Sequence, residues 1–475
     1  MRQLLSIFFR AEGTRPWLVL ACLLLAGLAE AGSIGTLLPA ASSVLDSGAN
    51  GNSGAGHAIK SFIESLGIPA SLENLLIIVV SLMVLKSLLA FAALSYSGIT
   101  SARVAINLRR KLIKAIFEAR WSFYAKQSSG RFANAISNDA TRASEAYQYA
   151  AIAVAGIVQL LAYASVAVVI DWRIALWGGV ASTILYFAMS ALIRTSKRSG
   201  YKQTDRVSNL TVDMVDMLNN IKALKSMDRY GLMVLGLSGL LKRIKRSLVA
   251  IQLAKQGVTQ GSDALIALMT GAGVYAAYTY LHTTLPEMIV TGIVFFQIVS
   301  SLTKLQKQMQ TAVVIESSYV RTTELIKRAE EQKESHTGTA MPRLGAGCRF
   351  EGVTFAHGSA PVVSNATFDI PANRITVLQG PSGSGKTTLI DLLIGLNTAQ
   401  KGRILIGGQT IETIDIKAWR QSIGYVPQEL MLFHDTIHEN ISLSNPDISA
   451  DAVLAALDQA GAMEFINAMP DGIET

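Results

Sequence analysis

Cysteine is nearly absent. The 475 residues hold two, Cys22 inside an apolar segment and Cys348 far down the chain. Two such residues build no disulfide framework and no thiolate metal cluster. Charge is scarce too, at 16% of residues, where an ordinary soluble protein carries about 25%. Half the chain is apolar, so a wholly water-soluble fold does not fit. Acidic residues, 34 in all, are outnumbered by 42 lysines and arginines, leaving a net charge of +8. Such an excess attracts either nucleic acid or an anionic membrane surface. Here the basic residues cluster between apolar segments, which favours membrane lipid and excludes nucleic acid as the partner. A cleavable signal is not expected: the first apolar run lacks a small-residue cleavage site, and further spans follow.

What the chain has instead is apolar length. Six stretches reach the roughly 20 residues that a bilayer span needs: Pro16–Ala40, Asn74–Ile99, Tyr147–Ile170, Ile174–Leu192, Val258–Leu281 and Met288–Ala312. Spans three and four are joined by little more than Asp171-Trp172-Arg173, and five and six by "HTTLPE". Long connections follow spans two and four. The first carries Arg103, Arg109, Arg110, Lys111, Lys114, Arg120, Lys126, Arg131 and Arg142, and the second runs from Arg194, Lys197 and Arg198 to Lys255. The opposite side offers only Lys60 and Arg173. Basic connections stay cytoplasmic, so a multi-pass protein of the cell (inner, cytoplasmic) membrane with both termini cytoplasmic is expected.

Those connections have helical texture. In "ARVAINLRRKLIKAIFEARW" the apolar positions recur at i+3 and i+4 without glycine or proline, so spans two to five are expected to continue as helices into the cytoplasm. The external "DSGANGNSGAGH" is expected to be a flexible loop. Among the polar residues inside spans, Glu30, Lys86, Asp263 and Gln297 are singled out. Two readings stand for them, a structural pairing or a place on a pathway.

The helical pattern lasts to about Glu331, giving a membrane domain over 1–331. A linker, 332–346, contains "QKESHTGTAMPRLGA". Over 347–475 the texture turns to short β-branched runs, "RFEGVTF", "VVSNATFDI" and "RITVLQG". The last is expected to be a strand. It leads into "GPSGSGKTT", Gly380–Thr388, and then into a helical pattern. Strand, glycine-rich loop and helix are the context of a phosphate loop. Gly380, Gly383 and Gly385 let several N–H groups point at one anion, and the helix offers its positive end. Lys386 places a charge between the β- and γ-phosphates, and the hydroxyl of Thr387 can ligate Mg²⁺. Ser382, Ser384 and Thr388 belong to the same cradle. The loop is expected to bind a nucleotide.

With these motifs in place, the chain resembles the ABC exporters of half-transporter type, and the resemblance spans nearly all of it. It implies an all-α membrane domain of six helices followed by a partial α/β P-loop nucleotide-binding domain. ATP and Mg²⁺ are the implied cofactors, with a second half-transporter as partner and a hydrophobic or amphipathic molecule as cargo. The segment "GRILIGGQTIETIDIKAWRQSIGYVPQ" is similar to the one holding the family's Q-loop, which puts Gln428 on Mg²⁺ and the attacking water. Where the family stacks an aromatic on adenine, this chain has His357, read either as a smaller stacking group or as a turn residue. "SSGRFANAISNDATRASEAY" and "VDMVDMLNNIKALKS" resemble the two coupling regions, with Asp216 near the usual acidic position. After "FINAMPDGIET" no LSGGQ signature, Asp-Glu strand or switch histidine follows. The chain is therefore expected to be a fragment that exposes apolar edges, binds nucleotide weakly and hydrolyses none alone. The other reading is a non-catalytic, nucleotide-responsive membrane protein, or a degenerate or split partner in a heteromer.

Overall fold

A computed structural model describes residues 9, 14–45, 54–65, 67–170, 172–280, 285–334, 337–358, 360–428 and 432–475. It divides into two units, residues 1–335 and 336–475.

Unit one is helical: α1 (Pro16–Leu45), α2 (Gly54–Ser65), α3 (Leu72–Phe117), α4 (Trp121–Tyr124), α5 (Ser129–Asn134), a π-helical turn (Ala135–Asp139), α6 (Ala140–Ile170), α7 (Trp172–Asn219), α8 (Ile221–Ser226), α9 (Tyr230–Tyr280) and α10 (Leu285–Glu331). By length and composition, helices covering Pro16–Leu37, Leu72–Phe117, Ser129–Val169 and Ala175–Asn219 can cross a membrane. The fifth and sixth expected spans lie in α9 and α10, and the connection at 281–284 lies outside the described residues. With 46 residues in α3, its axis runs about 70 Å. A hydrocarbon core is about 30 Å thick, so much of the helix stands beyond it. The expected continuation of spans into long helices follows from the unbroken apolar periodicity, with no proline between Leu72 and Phe117.

The stretch expected as a flexible external loop is helical from Gly54 onward, while residues 46–53 lie outside the described ones. Burial explains the difference: Ile59 and Ile63 of α2 pack against Ala40, Leu75 and Ile78. Tertiary contact of an apolar face offsets glycine's poor helix propensity.

Small residues let the bundle close. On α6, Ala140, Ala143, Ala146, Ala150 and Ala151 are all buried, and several pack with Val19, Ala93 and Ala312 from α1, α3 and α10. Without a hydrophobic drive between helices in lipid, close backbone approach is what holds them. A second core gathers Ile34, Tyr163, Leu185, Ile266, Phe295 and Val299 from five helices. A third, at the far end of α3, joins Leu112, Ile116, Phe123, Phe132 and Ile326.

The segment resembling the first coupling region is clamped. Arg109 donates to the carbonyls of Ile136 at 3.1 Å and Ser137 at 3.3 Å, and to Thr141 Oγ1 at 2.7 Å, where the π turn disturbs the regular ladder. Gly130 lets α5 touch the backbone of α7: a Cβ there would meet Val212 Cα at 2.9 Å and the Thr211 carbonyl at 3.2 Å. Gly130→Leu is expected to lower the stability of this unit by about 1–3 kcal/mol through overpacking. Gly239→Leu, with open space around it, should change little. Thermal melts of the two variants check this; equal melting would refute it.

Unit two has a four-stranded antiparallel sheet in the order β2-β1-β3-β4, with β1 Cys348–Ala356, β2 Pro361–Ile370, β3 Lys401–Ile406 and β4 Gln409–Thr410. Helix α11 (Lys386–Leu393) packs on it, its Leu392 joining Phe350, Val353, Phe355, Val363 and Ile404 in one core. Four shorter helices follow: α12 (Ile416–Gln421), α13 (Ile437–Ser442), α14 (Ala450–Gln459) and α15 (Met463–Asn467).

One expectation fails here. "RITVLQG" is not a strand; residues 375–380 join no sheet. A strand needs a ladder neighbour, and none of the described residues supplies one. Its apolar side chains are therefore bare, with Ile375 95% and Val377 79% exposed. The same holds at residues 423–427, where Val426 is 83% exposed.

Candidate functional site

The glycine-rich loop ends in a left-handed residue, Gly385 at φ 91°, which caps the N-terminus of α11. Gly383 is left-handed as well, at φ 81°. Such angles cost residues with a Cβ one or more kcal/mol, about 1–2, so glycine is what allows the loop to curl. The loop is tightened by the Ser384 N–H on the Pro381 carbonyl at 3.2 Å. Helix α11 begins with Lys386, and its first-turn N–H groups have no partner within the helix. They carry the positive end of the helix.

Lys386 bends back over its own loop. Its Nζ donates to the carbonyls of Gly380 at 2.9 Å and Pro381 at 2.8 Å, so the ammonium is held where the chain reverses. Ser382, Ser384 and Thr387 are exposed, whereas Thr388 is buried beneath the helix. The sequence-predicted residues from Gly380 to Thr388 are thus brought together on one turn.

His357 and Gln428 fare differently. His357 follows β1, exposed, with its ring edge-on to Phe355 at 4.8 Å and 89°. It also lies near α11: burial raises the Asp391 carboxyl above its ordinary range, and the charge of neighbouring His357 partly opposes this. Gln428 is exposed at the end of the unpaired stretch 423–427. Among the described residues no group of three His, Cys, Asp or Glu side chains is placed to hold a metal ion.

Two residues that sequence reasoning missed secure the other end of α11. Trp419 Nε1 donates to the Leu393 carbonyl at 2.9 Å. Arg420 donates to the carbonyls of Ile394 at 3.2 Å and Gly395 at 2.7 Å, where a cation meets the negative end of the helix. Both sit on α12, which Asp415 caps by accepting from the Lys417 and Ala418 N–H groups at 2.9 and 3.3 Å. The aspartate four residues before tryptophan announces a helix start. Nothing in the sequence says which carbonyls the helix will reach.

In unit one the polar residues within the spans acquire partners. The Glu30 carboxylate accepts from Lys86 Nζ, Tyr163 Oη and Gln159 Nε2. Asp263 pairs with Lys307 at 3.4 Å, and Gln297 is half-buried. Asp216 lies near the end of α7, its carbonyl accepting from Asn220 Nδ2 at 2.8 Å, and the following α8 has no buried residue.

Comparison with known proteins adds a family. Residues 19–303 match the model of the ABC transporter transmembrane region, and residues 363–471 match that of the ABC transporter. The chain is similar to the ATP-dependent lipid A-core flippase of Photobacterium profundum, 26% identical over 416 residues, which is 83% of this chain and 68% of that protein. It is 41% identical over 128 residues to the mitochondrial iron-sulfur clusters transporter ATM1 of Candida albicans, covering 27% of this chain and 17% of that one. With the corresponding protein of Yarrowia lipolytica it shares 29% over 317 residues, 64% of this chain and 43% of the relative. The chain therefore spans less than half the length of these two ATM1 relatives. A solved bacterial Atm1-family ABC exporter with ATP bound matches its fold with a TM-score of 0.74, over 97% of this chain and 79% of that one, at 18% identity.

Proposed function

The chain belongs to the ABC transporter family, and from that premise we propose that it is one half of an exporter that couples ATP to the passage of a hydrophobic or amphipathic molecule. The observation that carries this is the phosphate loop. A left-handed Gly385 opens α11, Lys386 is folded across the turn, and the same chain holds at least four helices able to cross a membrane.

The residues fit a nucleotide. The first-turn N–H groups of α11 and the Lys386 ammonium are donors that belong to one short turn, which suits polyphosphate. Bound ATP would supply the free energy that favours one membrane arrangement over another. Lys386 would leave the carbonyls of Gly380 and Pro381 for the β- and γ-phosphates. Gly380, Ser382, Gly383, Ser384, Gly385 and Thr388 would line the turn, and the exposed Thr387 hydroxyl would take Mg²⁺ with Gln428. His357, beside α11, would cover one face of the adenine. A second half-transporter, either another copy or a relative, would complete the machine, and the basic residues of the long connections support a cytoplasmic setting for both termini.

Binding of labelled ATP to the full chain in nanodiscs, with and without Mg²⁺, tests the reading. Mg²⁺ is expected to tighten binding, and Thr387→Val to remove that gain while leaving metal-free binding in place. Absence of ATP binding under both conditions would refute the proposal.

One observation favours a second reading, a nucleotide-responsive subunit that does not itself hydrolyse ATP. Gln428 and Gly380 both end stretches that lack strand partners among the described residues, so the groups around the loop are not fixed with the precision that catalysis needs. Mg²⁺-dependent turnover by the purified chain, lost in Lys386→Ala, would exclude it.

A further inference from the structure

The polar cluster inside the membrane has a property that simple pairing does not explain. Glu30 is 4% exposed, and its carboxylate is held from two other helices: by Lys86 of α3, and by Tyr163 and Gln159 of α6, the amide at 3.0 and 3.1 Å. Its acceptor capacity is largely filled. Lys86 is the opposite case. Its side chain is 29% exposed, one N–H is given to Glu30, and among the described residues nothing takes the other two. Lys86 lies about 21 Å along the axis from Leu72, in a helix long and apolar enough to cross a membrane.

Stability does not account for this arrangement. Removing two charges from water costs more than their attraction often returns, and apolar pairs of similar volume commonly do as well. An ammonium with donors to spare inside a bilayer is found where water or a polar ligand reaches it. Tyr163 and Gln159 fix the carboxylate, the carboxylate fixes the ammonium, and two donors of that ammonium remain.

We infer that Lys86, positioned by Glu30, Gln159 and Tyr163, is a recognition point for the transported molecule and donates to an uncharged oxygen, a hydroxyl or carbonyl, of an amphiphile's polar head. The inference rests on the exporter reading and narrows its substrate class. Charge balance selects the uncharged head. The pair sums to zero, so an arriving anion meets the repulsion of Glu30 almost as closely as the attraction of Lys86. An uncharged acceptor brings no charge to desolvate. Glu30 is then a specificity residue: in Glu30→Gln the ammonium keeps its hydrogen-bonding neighbours but loses its counter-charge, and anionic heads become preferred.

The test counts lipid adducts on the full chain by native mass spectrometry. The probes are a monoglucosyl diacylglycerol and a phosphatidic acid with identical acyl chains. The wild-type chain should retain the glucosyl lipid over phosphatidic acid, and Glu30→Gln should shift that ratio toward phosphatidic acid by about tenfold, the worth of one charge-assisted hydrogen bond. Lys86→Met alone would strand a buried carboxylate, so the informative loss variant is Glu30→Gln with Lys86→Met, which keeps the interior neutral and should bind the two lipids alike. An unchanged ratio in Glu30→Gln, or wild-type preference in the double variant, overturns the inference. The count needs no nucleotide. A chain that binds ATP but shows flat lipid ratios refutes this inference alone, and one that shows the lipid switch but never binds ATP refutes the exporter reading and leaves Lys86 a lipid-head site without a transport role.

Discussion

Lys386→Ala is expected to weaken ATP binding by about 10- to 100-fold and to leave the melting of the chain unchanged. The two halves of that expectation come from the same geometry. The ammonium donates to two carbonyls of its own loop, at 2.9 and 2.8 Å, and these bonds are exposed to solvent. Exposed bonds of that kind exchange with water at little net cost. Alanine also suits the first turn of a helix, being the best helix former, so α11 should begin where it does now. With a polyphosphate in the loop the same ammonium has charged acceptors instead, and a hydrogen bond to a charged group contributes about 1.5–3 kcal/mol. Lys386→Arg should recover only part of the loss. A planar guanidinium cannot replace a compact point charge in a turn held by glycines at 383 and 385. Titration of labelled ATP into the three forms checks this, and equal affinity in wild type and Lys386→Ala would remove Lys386 from the site.

The membrane unit was legible because its signals are long. Long, mainly apolar runs such as Asn74–Ile99 leave only a helix as a way to satisfy the backbone in lipid, and the periodicity of "ARVAINLRRKLIKAIF" extends α3 to Phe117. The phosphate loop was legible because only glycine takes the angles at 383 and 385 cheaply. What was not legible depends on contacts distant in sequence. "RITVLQG" has the composition of a strand, yet strand formation is decided by a neighbour, and the described residues offer it none. Residues 54–57 have the composition of a loop, yet α2 forms because Ile59 and Ile63 find Ala40 and Leu75. Glu30 and Lys86 could be singled out as charges in spans. That Gln159 and Tyr163, more than a hundred residues after Glu30, complete their cluster needed the packing of α1, α3 and α6.

Trp419→Ala should unfold much of unit two and carry the nucleotide site with it. Trp419 is 6% exposed and joins Ile406 and Ile414 in a small core beside Leu393, Ile411 and Ile416. Truncating a buried tryptophan costs about 3–5 kcal/mol. The Leu393 carbonyl also loses the indole donor at 2.9 Å. A domain of ordinary stability has about 5–15 kcal/mol in total, and this one already exposes Ile375, Val377 and Val426, so little is held in reserve. Trp419→Phe keeps most of the volume and forfeits one hydrogen bond, about 1 kcal/mol, and should stay folded. Cys348 gives the readout. It is packed beside the same core, and burial pushes its thiol above the usual range, so it should react slowly in the wild type and in Trp419→Phe. In Trp419→Ala its labelling should accelerate as ATP affinity falls, because the C-terminal anchor of α11 has gone and Lys386 stands at the other end of that helix. Fast labelling with ATP affinity intact would show that the phosphate loop does not depend on this core; slow labelling with affinity intact would show that Trp419 does not hold the unit together.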